Sequence, residues 1–194
     1  TFAVTPSGAY KDKYHFTYDT AEWNAYSQSG QSAGYGAQWY LLSSAPPRKI
    51  VVAFTQPNAP ATSMGVNLSR GAEIITADGV DVQYGSDTAT LNSAFWPSAI
   101  GETHTFEVRD LGSSTTRTIT MTSQTITSDP VQNVQVINTA SGRIGYVTFN
   151  SHIATAEKEL IQAITDLSGV DIDDLVLDLR YNTGGYLAIA SQLS

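Results

Sequence analysis

The residue types best able to do chemistry are gathered in Asp178-Leu-Arg-Tyr-Asn-Thr-Gly-Gly185. Two consecutive glycines, Gly184 and Gly185, permit backbone angles that a Cβ would forbid and leave N–H groups unobstructed. At a helix entrance such a turn can bind an anion or stabilise a developing oxyanion. The plainer alternative is a tight crossover turn that simply needs glycine. Either way, the flanking elements must hold the turn still. Leu175 to Leu179 is apolar except for Asp178, the pattern of a strand covered on both faces. Tyr186 to Leu193 reads as the start of a helix, with Ala188, Ile189, Ala190 and Leu193 available for a buried face. The predicted unit is strand, glycine turn, helix.

Other constellations are weaker. Ser151-His152 offers a nucleophile and a base, but neighbours on extended chain point to opposite faces and no orienting acid is evident. Asp171, Asp173 and Asp174 lack the glycine and distal Glu of a dedicated calcium loop, so a solvated loop is expected there. His15 and His104 have no partners at ligand spacing. No metal site and no cofactor are expected.

Composition sets outer limits. At 194 residues, with 41% hydrophobic and 14% charged residues, the chain is long enough for one or two cores. A formal charge of −8 without a Lys/Arg cluster argues against a nucleic-acid partner. With no cysteine there is neither a disulfide framework nor a thiolate metal site. No apolar run is long enough for a transmembrane helix, and Thr1 opens without a signal peptide, so a mature or excised form is expected. Richness in Thr, Ser, Ala and Tyr leans towards an extracytoplasmic, β-rich protein.

In chain order, Lys11 to Tyr18 reads as extended. Asp19-Thr-Ala-Glu-Trp-Asn-Ala-Tyr reads as a short helix capped by Asp19 or Thr20. Gln28 to Gly36 reads as a small polar linker. Strands are predicted at Gln38 to Leu42 and Ile50 to Phe54. Pro60 opens a short helix, Gly71 serves a turn, Ile74-Ile75 is a buried strand, and Asp78-Gly79 is a hairpin turn. Thr88 to Phe95 reads as a helix, and Thr105 to Gly112 pairs with Thr115 to Thr122 as a hairpin. Strands at Val131 to Ile137 and Arg143 to Phe149 follow, then a helix over Thr155 to Leu167 with Leu160, Ile161, Ile164 and Leu167 on its stripe. That order implies a parallel, right-handed crossover into the Leu175 strand.

Asp178-Leu-Arg-Tyr-Asn-Thr-Gly-Gly185 closely resembles the Asp-Leu-Arg-x-Asn-x-Gly-Gly signature of the C-terminal processing, or tail-specific, serine peptidases. Asn58 to Val82 is similar, nearly step for step, to the phrase Ser-Pro-Ala-x-x-Ala-Gly-Leu-x-x-Gly-Asp-x-Ile-x-x-Val-Asn-Gly-x-x-Val of their PDZ domain. One departure is Gly71-Ala72-Glu73, where the family has Gly-Asp. Ile144-Gly-Tyr-Val resembles the strand that opens the catalytic core, and Asp12 to Glu22 resembles the lead-in before the PDZ domain.

The resemblance implies an α+β chain: a lead-in (1–33), a PDZ-like β-barrel or sandwich with short helices (34–126), and the first βαβα part of an α/β peptidase core (127–194). It implies a serine endopeptidase with a Ser–Lys dyad lying downstream of the glycines, so that these residues alone are expected to hydrolyse nothing. Gly184 and Gly185 would supply part of the oxyanion hole, with Asp178, Arg180 and Asn182 shaping the turn. The loop Gly34-Tyr35-Gly36-Ala37 and the edge strand Gln38-Trp39-Tyr40 would take the C-terminus of a polypeptide substrate by β-augmentation. Leu91 and Phe95 would either contact its last side chain or face the core. Location would be extracytoplasmic, in a bacterial periplasm or envelope. The alternative is a non-catalytic ligand- or peptide-binding module built on the same core.

Overall fold

The computed structural model describes residues 19–193, together with Pro6 and Thr17. The extended segment expected at Lys11 to Tyr18 lies, Thr17 apart, outside the described residues, as does His15. Helix α1 (Thr20–Ser29) begins as the sequence predicts. Asp19 Oδ1 accepts the Ala21 and Glu22 N–H groups at 2.8 and 3.1 Å, satisfying donors that have no intrahelical partner. Gly30, in the left-handed region at φ +70°, ends it.

The linker expected over Gln28 to Gly36 is not one. Helix α1 runs through Ser29, and β1 (Gln31–Gly34) pairs antiparallel with β8 (Gln124–Thr127). Main-chain pairing with a distant strand makes β1; its small, largely exposed side chains carry no periodic signal. The end of the expected lead-in is therefore stitched to the end of the PDZ-like segment.

That segment forms a six-stranded sheet from β2 (Ala37–Ser43), β3 (Lys49–Thr55), β4 (Glu73–Ala77), β5 (Val80–Asp81), β6 (Thr103–Arg109) and β7 (Arg117–Thr122). The order is β2-β3-β4-β6-β7, with β5 beside β4. The sheet is open, which corrects the expected barrel: β2 and β7 are edges that do not pair with each other. Its core joins Val52, Ile74, Phe106 and Met121 to Ala94 and Phe95 of α2 (Thr88–Phe95); each large side chain so buried contributes about 1.5–3 kcal/mol. The turns follow the sequence. Asp78 (φ +49°) and Gly79 (φ +78°) make the two-residue hairpin turn, and Pro60 opens a short 3₁₀ turn (Pro60–Thr62).

A second core, sharing no residue with the first, lies under β9 (Val131–Thr139), β10 (Gly142–Phe149) and β11 (Asp174–Asp178). The sheet order is β11-β10-β9, with β10 and β11 parallel. Helix α3 (Ala156–Ser168) makes the crossover, and α4 (Leu187–Leu193) follows the glycine turn. Helix α3 buries Ala156, Leu160, Ala163 and Leu167. Ile161 is 62% exposed and Ile164 39%, so the stripe differs from the expected one: small alanines at helical spacing turn the contact face away from both isoleucines. Strand β11 is likewise not covered on both faces. Leu175 and Val176 are 44% and 45% exposed, because β11 is an edge and α3 packs over β9 instead. Of the predicted α4 face, Ile189 alone is fully buried.

Candidate active site

The signature residues brace one turn. Asp178 ends β11 opposite Thr148 of β10 and is largely buried. Its Oδ2 accepts the Tyr146 hydroxyl at 2.5 Å. Arg180 donates through Nε at 2.9 Å to both carboxylate oxygens, through its backbone N–H at 3.0 Å, and through Nη2. These bonds, the Arg180 side chain's first, hold the Asp178 carboxyl well below the usual carboxylate range against the opposing effect of burial. The Arg180 guanidinium is itself more than half exposed, so its pairing is screened and acts mainly on the direction of the chain.

Asn182 takes the next step. Its Nδ2 donates to the Phe149 carbonyl at 3.0 Å, tying the turn to the end of β10, and its Oδ1 accepts the Gly184 N–H at 2.9 Å. His152 completes the bracket through its main chain. Its N–H donates to the Gly184 carbonyl at 3.0 Å, and its carbonyl accepts the Tyr186 N–H at 2.9 Å. The two glycines are therefore needed for different reasons. Gly184 sits at φ +89° with open space around it, a conformational demand. Gly185 sits at φ +140°, and a Cβ there would run into the His152 carbonyl, a steric demand.

This arrangement narrows the expected pair of free donors to one. Gly184 N–H is taken by Asn182 and Tyr186 N–H by His152, whereas Gly185 N–H makes no hydrogen bond among the described residues. A fixed N–H flanked on both sides by bonded neighbours can donate to an oxygen that gains charge, without reorganising to do so.

The turn faces a cleft of about 290 Å³ whose other wall is β2 and β3. Tyr181, at a variable signature position, packs against Phe54 of β3 with ring centroids 5.6 Å apart and lies 5.4 Å from the Arg70 guanidinium. Ser151 and His152 do not form a catalytic pair. Ser151 Oγ lies 3.2 Å from the Tyr26 hydroxyl, and the His152 ring packs at a tilt against Phe149 while its Nδ1 has no partner among the described residues.

The peptide-contact residues expected in the first sheet divide. Gly34, Tyr35, Gly36, Ala37, Gln38 and Trp39 all line a cavity of about 320 Å³ beside the free edge of β2, and Tyr40 on that edge is exposed. Tyr35 and Trp39 are buried, with their polar ends committed: the Tyr35 hydroxyl donates to the Ala94 carbonyl at 3.1 Å and Trp39 Nε1 to the Phe95 carbonyl at 3.0 Å. Burial, then the nearby Asp78 and Glu102 carboxylates, raise the Tyr35 hydroxyl far above its ordinary range and keep it a donor. Leu91 packs inside the core and does not reach the cavity; Phe95 is as buried but borders it. Trp39 packs edge-to-face on Phe95 with ring centroids 5.3 Å apart.

Elsewhere, Glu73 in the departing Gly-Ala-Glu phrase pairs with Arg109 at 2.8 Å and Lys49 at 3.4 Å. Asp173 accepts the Arg143 N–H at 2.7 Å and so closes the end of β10. His104 sits between Asp78 (2.5 Å) and Glu102 (3.6 Å). No cluster of three or more metal-ligating side chains occurs among the described residues. Sequence reasoning missed Tyr146, Tyr181 and the main chain of His152. The parallel pairing of β10 with β11 was the available signal for Tyr146; the other two act through contacts that no local pattern records.

Residues 143–194 match the model of peptidase family S41. The chain is similar to a carboxyl-terminal-processing protease of Picosynechococcus sp., 27% identical over 169 residues that make up 87% of this chain and 39% of that protein. It is also similar to the chloroplastic C-terminal processing peptidase of Tetradesmus obliquus, 31% identical over 150 residues, 71% of this chain and 31% of that one. In fold it resembles an S41 protease from Bacteroides fragilis, with a TM-score of 0.59 at 21% identity, over 97% of this chain and 53% of that structure. The chain thus spans less than half the length of either curated relative.

Proposed function

We propose, from the match of residues 143–194 to the model of peptidase family S41, that the chain is the substrate-recognising front of a C-terminal-processing serine endopeptidase. The observation that carries the reading is the braced N–H of Gly185, unpaired among the described residues, in the turn that follows the signature strand. When a serine oxygen adds to a scissile carbonyl, the carbonyl oxygen becomes an oxyanion, and Gly185 N–H is placed to donate to it. One such donor is worth about 10²–10³ in kcat. The serine and the lysine that takes its proton, neutral through burial, are supplied by residues other than these 194.

Segment 34–126 is the PDZ-like recognition domain, 127–194 opens the catalytic core, and 1–33 leads in. A substrate with a free C-terminus pairs along the open edge of β2, its carboxylate meeting the loop Gly34 to Ala37 and its last side chain entering the cavity bordered by Phe95 and Pro97. Leu91 has no part in this. The setting is extracytoplasmic; no helix among the described residues is long and apolar enough to cross a membrane.

The test is fluorescence anisotropy with labelled peptides ending in an apolar residue, as free carboxylates and as amides. The carboxylates bind at least about tenfold tighter, a difference of about 1.4 kcal/mol. Equal binding, or none by either set, overturns the recognition role and favours a module that binds something other than C-termini. Turnover by these 194 residues that serine-directed inhibitors abolish would overturn the placement of the nucleophile.

A further inference from the structure

Among the residues lining the cleft between β2–β3 and the glycine turn is Asn150, the first residue after β10. The residue is 6% exposed, and neither buried amide atom, Nδ2 nor Oδ1, has a hydrogen-bond partner among the described residues. Buried primary amides are normally paired, because desolvating them unpaired is costly. The neighbours do not relieve it. The Asn150 backbone N–H bonds the Pro130 carbonyl at 2.8 Å, Ser151 Oγ lies against Tyr26, and the Asn182 amide is committed to Phe149 and Gly184.

A carboxamide offers one donor edge and one acceptor edge side by side. The matching partner is another amide, whose C=O accepts from Nδ2 while its N–H donates to Oδ1. The walls suit an extended chain: Phe54 and Tyr181, packed on each other, supply aromatic lining, Tyr40 is exposed, and the β2 edge runs alongside. Two residues beyond Asn150 stands His152, whose main chain brackets Gly184 and Tyr186. Arg180 to Thr183, which lead into the two glycines, line the same cleft, so a strand held on Asn150 lies beside the glycine turn.

We propose that this cleft is a main-chain subsite, in which the Asn150 carboxamide pairs with one peptide group of an extended polypeptide segment on its way to the glycine turn. The proposal rests on the peptidase reading but not on recognition of a free C-terminus. Asn150 is a positioning residue for the substrate's backbone and is indifferent to its side chains.

The test uses the 194-residue chain and an N-acetylated, C-terminally amidated deca-alanine-based peptide, which has no free terminus to engage the Gly34 to Ala37 loop. In ¹⁵N spectra the Asn150 side-chain amide shifts on titration and saturates with the binding isotherm. Asn150→Leu, similar in volume and without polar atoms, leaves the melting temperature unchanged or raised, since it removes an unpaired amide, and weakens the peptide at least about tenfold. Replacing single peptide groups of the probe by esters weakens binding several-fold at one position in the wild type and at none in Asn150→Leu. An Asn150 resonance that stays put at saturation, or an Asn150→Leu variant that melts several degrees lower while binding unchanged, would show an amide satisfied by water or by the fold and would overturn the proposal. Should Asn150→Leu fail to fold, the wild-type titration and Asn150→Ser decide. If amidation abolishes no binding in the C-terminus assay while the Asn150 shift persists, C-terminal recognition fails and the cleft stands; the converse pattern removes the cleft alone.

Discussion

If Gly185 supplies the free donor because Asn182 occupies its neighbour, the two glycine amides must exchange with solvent differently. Gly184 N–H is held by Asn182 Oδ1 at 2.9 Å, while Gly185 N–H is unpaired among the described residues. One such bond is worth about 1 kcal/mol net, which corresponds to roughly fivefold protection against local opening. Gly185 should exchange near its intrinsic rate. Asn182→Ala deletes two bonds at once, leaving the Gly184 N–H and the Phe149 carbonyl without partners. The expected cost is about 1–2 kcal/mol, and at about 2–4 °C per kcal/mol for a chain of this size the midpoint falls by about 2–8 °C. Asn182→Asp separates the two bonds, since a carboxylate keeps the acceptor for Gly184 and loses the donor to Phe149. Its Gly184 protection should survive while part of the stability is lost. Glycine-selective ¹⁵N hydrogen exchange on the three proteins, with urea melts alongside, makes the measurement. Gly185 exchanging more slowly than Gly184 in the wild type, or Asn182→Ala leaving Gly184 protection intact, would refute the assignment.

The glycines should also differ in tolerance. Gly185→Ala meets the His152 carbonyl and should cost about 2–4 kcal/mol, whereas Gly184→Ala bears only the strain of φ +89°, about 1–2 kcal/mol; thermal melts giving the reverse order would contradict the geometry. Glu159 sits beside Asp129, and its Oε2 accepts the Val131 N–H at 3.3 Å; burial, then Asp129, push its carboxyl up to about 7. Between pH 4.5 and 7 the folded chain thus holds a proton the unfolded chain has released, so stability falls as pH rises through that window, by about 1 kcal/mol after discounting for partial exposure. Glu159→Gln should remove that part of the slope in urea melts at pH 5 and pH 8, and identical slopes for the two proteins would count against it.

Much of this fold follows from short-range rules that need no knowledge of the partner strand. Asp19 caps α1, Pro60 opens its turn and Asp78-Gly79 closes its hairpin, because each acts on backbone groups within three or four residues. What the sequence concealed is what distant segments settle between them. Strand β1 exists only through β8, the α3 stripe turns on two alanines that hydropathy underrates, and Leu91 is buried in the first core and does not line the cavity. The site itself shows the same division. The need for glycine at positions 184 and 185 was legible, but the different reason at each was not, because His152 approaches from another strand end and Asn182 folds back on its own turn. A polar residue read as holding a turn in shape therefore does a second thing. By accepting one of two adjacent N–H groups, Asn182 decides which of them stays unpaired among the described residues.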